Sequence, residues 1–148
     1  MDLILWRHAD AEDGMPDEER KLTAKGEKQA KHMAAWLKER LPKDAVVLAS
    51  TARRARETAQ ALTRKFESSA DVGTSASPQS VLKAAGWPDG EGTVVVVGHQ
   101  PTLGQTAALV LTGADAGWSF KKAAIWWIES RDGGEVIVRA VMAPDMLD

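Results

Sequence analysis

The stretch LILWRHADAE, residues 3–12, runs from four apolar residues directly into an arginine and a histidine. Leu3 to Trp6 shows no strong alternation, the pattern of a β-strand covered on both faces, and such strands lie inside sheets packed between helices. Arg7 and His8 therefore stand where a buried strand leaves the core. Val46 to Ala49 and Val94 to Val97 repeat the pattern.

Helical periodicity alternates with these runs. Thr23 is placed to cap a helix whose apolar positions Ala30, Met33, Ala34, Leu37 and Leu41 recur until Pro42. Ser50 and Thr51 lead into a helix with Ala55, Ala59, Leu62 and Phe66 on one face. Pro101 opens a third helix through Leu103, Ala107, Val110 and Leu111 to Gly113. Between the second and third of these helices, Val72 reads as the start of a short strand, Pro78 to Ala85 as a short helix, and Gly86 to Gly92 as a loop. Ala123 to Glu129 and Glu135 to Val141 flank the turn residues Arg131 to Gly134, which predicts an antiparallel hairpin. The expected class is α/β. It is a three-layer α/β/α arrangement, mainly parallel, with an antiparallel C-terminal addition, in one domain spanning 1–148.

Composition narrows the chemistry. With no cysteine among 148 residues, disulfides, zinc-thiolate sites and thiol nucleophiles are excluded. The formal net charge is −2, with Lys and Arg dispersed, so no nucleic-acid footprint or basic membrane face is expected. No apolar run approaches the roughly 18 residues of a membrane span. The N-terminal MDLILWRH lacks a basic n-region, and the expected location is cytoplasmic. Six Trp against no Tyr is unusual, but Trp6, Trp36, Trp126 and Trp127 lie in apolar contexts and read as packing residues.

Three buried strands end in related chemistry: Arg7-His8, then Ser50 followed by Arg53 and Arg54, then Gly98-His99. In parallel sheets ligands bind beyond the carboxyl ends of the strands, so two arginines and two histidines converge on one rim if the strands are neighbours. Guanidinium groups donate paired, fixed hydrogen bonds to phosphate oxygens, and a helix N-terminus after each strand adds amide donors. Phosphate is the natural guest of that pocket. His8, against the core, fits a nucleophile: a neutral imidazole attacks phosphorus when one ring nitrogen is held protonated and the other is free. Arg7, Arg54 and His99 then hold the equatorial oxygens, and no metal or other cofactor is required.

These segments, in order, carry a family resemblance. Arg7-His8-Ala9 after the first strand, LTAKG at 22–26, STARRARETA at 50–59 and VVGHQP at 96–101 resemble the histidine phosphatase superfamily, also called phosphoglycerate mutase-like, over nearly the whole chain. The resemblance implies a phosphorylated His8 with Arg7, Arg54 and His99 as its phosphate pocket. Short length and the aspartate in RHADAE look most similar to the SixA-type phosphohistidine phosphatases. Two departures stand out: Ala9 replaces the family glycine, and Thr51 replaces a proline after Ser50. A third is an absence. Mutases and broad phosphatases of the superfamily carry a helical insertion with a proton-donating acid between the second arginine and the late histidine, whereas here only 44 residues separate Arg54 from His99. A phosphohistidine imidazole leaves already protonated on its ring and needs no such acid.

Other polar residues have plainer readings. Arg53 and Arg56 face away from Arg54 on helical spacing, and His32 lies among exposed positions of the first helix. His8 with Asp10 suggests two metal ligands, but no third accompanies them at usual spacing. Asp10 either orients the pocket and binds substrate or caps a turn, and Arg20 either contacts substrate or is surface. Lys121 and Lys122 either guide an acidic partner or mark a charged strand edge. The expected partner is a phosphorylated, phosphohistidine-bearing protein. The rival readings are a phosphatase of a small phosphomonoester and a non-catalytic phosphate-sensing module.

Overall fold

A computed structural model describes residues 1–147. Six strands form one sheet: β1 (Asp2–Arg7), β2 (Val46–Ala49), β3 (Glu67–Ser68), β4 (Thr93–Gly98), β5 (Ile125–Ser130) and β6 (Val136–Met142). They lie in the order β3-β2-β4-β1-β5-β6. β1, β2, β3 and β4 run parallel, and β5 and β6 add antiparallel at the far edge. Four helices cover the faces: α1 (Ala24–Lys38), α2 (Arg53–Leu62), α3 (Pro78–Ala85) and α4 (Thr102–Thr112).

Alternation along the central strands divides the core in two. Ile4 and Trp6, Val47 and Ala49, Val95 and Val97 pack against Met33 and Leu37 of α1 and Ala55 and Ala59 of α2. Leu3 and Leu5, Leu48, Val94 and Val96 pack against Val81 of α3 and Leu103 and Ala107 of α4. Burial on both faces is why these strands read as unbroken apolar runs. Trp6 is fully buried, and its indole N–H donates to the Ala123 carbonyl at 2.9 Å, so the largest core residue carries no unmet polar group.

The observed boundaries refine the expectations. α2 stops at Leu62 because Thr63 takes an extended conformation, and Phe66 packs against the core from the following loop. Val72 begins no strand. The Ser69 side chain accepts from the Asp71 amide and turns Ala70–Val72 into a 3₁₀ turn that inserts Val72 into the core, while the preceding Glu67–Ser68 pair makes β3. No helix follows β1 directly either. Residues 8–23 cross the rim irregularly, with a 3₁₀ turn at Asp17–Glu19, so only β2 and β4 lead promptly into helix N-termini. Among the described residues no helix is long and apolar enough to cross a membrane.

Candidate active site

Strand register brings the polar strand ends together. Arg7 pairs with Gly98, the His8 amide donates to the Gly98 carbonyl at 3.0 Å, and the Ser50 amide donates to the Val97 carbonyl at 3.0 Å. Adjacent strands lie about 5 Å apart, so β2, β4 and β1 deliver Ser50, His99 and His8 side by side. Arg54 joins them from the first turn of α2. A cavity of about 390 Å³ lies there, lined by Arg7, His8, Arg20, Arg54 and His99 with Asp17.

His8 is fixed by its own backbone. Its Nδ1 lies 2.8 Å from the Ala9 carbonyl oxygen, an atom that can only accept, so in the neutral ring Nδ1 carries the proton and Nε2 keeps its lone pair. The turn that makes this contact is held from α2. The Ala9 amide donates to the Thr58 hydroxyl oxygen at 3.0 Å, and that hydroxyl donates to the Arg54 carbonyl at 2.8 Å. Ala9 lies outside the left-handed region, which only Ala123 enters among non-glycine residues described, so the replacement of the family glycine costs no backbone strain.

Burial and the surrounding cations keep both imidazoles neutral. His8 is lowered to about 4, first by burial and then by the charges of Arg54, Arg7 and Arg20, against the opposing bond to Ala9. His99 is lowered to about 3 by burial, by His8 and by Arg54. Their ring centres lie 5.2 Å apart. Two such rings beside two arginines favour a guest that supplies negative charge without needing a protonated histidine.

The arginines are anchored with donors to spare. Arg7 Nη1 donates to the Phe120 carbonyl at 2.6 Å, and Arg54 Nη1 and Nη2 donate to the carbonyl and the carboxylate of Asp17 at 2.8 and 3.1 Å. Arg7 Nε and Arg54 Nε are the buried side-chain nitrogens and oxygens left without a partner among the described residues. Unmet donor capacity thus concentrates on the two guanidinium groups at the cavity. Such groups cost free energy unless a ligand or water completes them.

The remaining sequence candidates divide. Arg20 reaches the cavity, with Nε on the Asp17 carboxylate at 3.0 Å. Asp10 does not line it: its carboxylate accepts from Thr23 at 2.7 Å and from Lys122 at 2.6 Å, and those bonds hold it below the usual carboxylate range. It tethers the N-cap of α1 and places Lys122, which does line the cavity. Arg53 turns to Glu57, and Arg56 donates to the Thr51 carbonyl. Lys121 pairs with Asp145. Asp13 and Asp17, which also line the cavity, are carboxylates the sequence did not single out; both sit in an irregular acidic stretch with no periodicity to fix their direction.

Comparison with known proteins gives three findings. The family model described as histidine phosphatase superfamily (branch 1) matches residues 3–76, half of the chain. No match is found among curated proteins. Among solved structures, the protein histidine phosphatase SixA complexed with tungstate superposes with a TM-score of 0.86 at 25% identity, covering 100% of both chains. A chain from Nakamurella multipartitia with a provisional SixA phosphohistidine phosphatase assignment gives 0.80 at 25% identity, over 97% of this chain and 95% of that one. An Entamoeba histolytica phosphoserine phosphatase mutant in complex with phosphoserine gives 0.75 at 17% identity, over 99% of each chain, a likeness of fold alone.

Proposed function

This chain belongs to the histidine phosphatase superfamily, and from that premise we propose that it is a phosphohistidine phosphatase acting on a phosphorylated protein through a covalent phospho-His8. The observation that carries the proposal is the His8 ring: Nδ1–H bound to the Ala9 carbonyl at 2.8 Å, with Nε2 free at a cavity shared with Arg7, Arg54 and His99.

The steps follow from those groups. His8 Nε2 attacks phosphorus, forming an N–P bond as the substrate's N–P bond breaks, and the departing imidazole, already protonated by solvent at its other ring nitrogen, keeps the electron pair and leaves neutral. Arg7, Arg54 and His99 hold the oxygens of the phosphoryl group as it moves, and Arg20 adds a contact from the rim. Water then attacks the phosphoryl group on His8. The products are histidine and inorganic phosphate, and His8 returns to its starting state.

Two features support an imidazole leaving group. Of the residues between Arg54 and His99, only Thr74 is among those that line the cavity, so no inserted helix contributes to it, which supports a site that a protein surface can approach. Asp17, the cavity carboxylate nearest Arg54, is a poor proton donor: burial pushes it up, but Arg54 and Arg20 outweigh that and hold it below the usual carboxylate range. An alkoxide leaving group needs an acid, and an imidazole that accepts solvent protons does not. The likeness to SixA, a protein histidine phosphatase, agrees with this reading.

A second reading, hydrolysis of a small phosphomonoester, draws on Asp13, which lines the same cavity and offers another carboxyl. Turnover of a phosphohistidine protein against a panel of sugar and nucleotide phosphates separates the two. The proposal expects release of phosphate from phosphohistidine at the higher kcat/KM, abolished by His8→Ala. Faster turnover of a phosphomonoester would reverse the ranking.

A further inference from the structure

Ser50 is fully buried at the end of β2, and its hydroxyl oxygen lies 2.7 Å from His99 Nε2. The same oxygen accepts from the Ala52 amide at 3.1 Å. A hydroxyl has one proton to donate, and a buried donor without an acceptor is costly. Among the described residues His99 Nε2 is the one acceptor within reach of Ser50 Oγ.

We propose that Ser50 is a positioning residue that donates to His99 Nε2 and so fixes His99 as the Nδ1–H tautomer, opposite in function to His8. If Nε2 carried the proton instead, Ser50 Oγ would receive two donors and its own O–H would be stranded in the core. With Nε2 accepting, every polar atom of the pair is matched. Among the described residues His99 Nδ1 has no hydrogen-bond partner, and it is not among the buried unpartnered atoms, so it is accessible from the cavity that His99 lines.

The two histidines then present complementary atoms to one phosphoryl group. His8 offers a lone pair at Nε2 because a backbone carbonyl takes its Nδ1 proton; His99 offers an N–H at Nδ1 because a serine hydroxyl fills its Nε2 lone pair. One ring attacks phosphorus and the other donates to an oxygen. A neutral imidazole that donates is useful where burial and two arginines disfavour imidazolium, because it supplies the hydrogen bond without a charge. The inference rests on the phosphatase reading for its consequence, but the tautomer itself is a property of the free protein.

The test has two arms. Nitrogen-15 NMR of the histidine rings in the free wild-type protein is expected to show His99 protonated at Nδ1 and bare at Nε2, with Ser50→Ala returning Nε2–H. A wild-type His99 protonated at Nε2 overturns the proposal whatever the enzyme hydrolyses. In the second arm, Ser50→Ala is expected to lower kcat on phosphohistidine protein by at least about tenfold, with Ser50→Thr restoring most of it. Full kcat in Ser50→Ala, with its His99 tautomer switched, contradicts the assigned role. If no phosphate is released by wild type at all, the proposed reaction fails while the NMR arm still decides the tautomer.

Discussion

Arg54 gives two of its five N–H donors to Asp17, one to the backbone carbonyl at 2.8 Å and one to the carboxylate at 3.1 Å. A carboxylate therefore occupies the guanidinium that the proposed reaction would use to hold a phosphoryl group. Because the carbonyl contact survives substitution, Asp17→Asn keeps Arg54 in place while removing the competing charge. The Asp17 side chain is about half exposed, which places the ion pair among the weak ones, worth about 1 kcal/mol or less. Inorganic phosphate should accordingly inhibit Asp17→Asn at a concentration roughly two- to fivefold lower than wild type. Weaker inhibition would mean that the carboxylate supports the anion rather than competing with it.

The neutral histidines set a pH dependence of known sign. Both folded-state values, about 4 for His8 and about 3 for His99, lie below the ordinary 6.5. Between pH 6.5 and these values the unfolded chain binds more protons than the folded one, so stability falls on acidification through that window and is fully present above it. The depressed carboxyls of Asp10 and Asp17 add in the same direction at lower pH. Chemical denaturation at pH 7 and pH 4.5 should show the loss, and NMR titration should find both rings still neutral at pH 5. A ring of His8 or His99 that titrates near 6.5 contradicts this account.

Thr58 connects the second arginine's helix to the turn after His8. Thr58→Val conserves shape but leaves the buried Ala9 amide without its acceptor, a loss of about 1–3 kcal/mol. The Ala9 carbonyl that holds His8 Nδ1 belongs to the same turn. Activity should fall beyond what the stability loss explains, visible as reduced kcat at a temperature where the variant is fully folded. Unchanged kcat would show that the turn holds His8 unaided.

Gly26 is required by proximity. A Cβ there would collide with the Asp10 carbonyl oxygen, the acceptor for the Thr23 amide. Gly26→Ala should destabilise the protein by about 1–3 kcal/mol in urea unfolding, as overpacking does, instead of stabilising α1 as Ala for Gly does in an open helix.

Much of this was readable from residues 3–12 outward. Leu3–Trp6, Val46–Ala49 and Val94–Val97 announce themselves because a strand buried on both faces must be apolar throughout, and their neighbouring positions bring His8, Arg54 and His99 to one rim. Pro78–Ala85 and the hairpin around Arg131–Gly134 follow from local turn and capping chemistry. What escapes a linear reading is how residues between elements pair. Asp17 meets Arg54 from 37 positions away, across an irregular rim segment, and Ser50 meets His99 from 49, through the order of strands in the sheet, so neither contact is set by spacing. Asp10 shows the converse: adjacent to the motif in sequence, it turns to Thr23 and Lys122.

The most direct test of the central claim is a brief single-turnover reaction with isotopically labelled phosphohistidine protein, stopped in alkali, where phosphohistidine survives, and mapped by peptide. Label is expected on His8 in wild type, and none on the chain in His8→Ala. Phosphate release with His8 unlabelled at every time point, or continued turnover in His8→Ala, would contradict the claim.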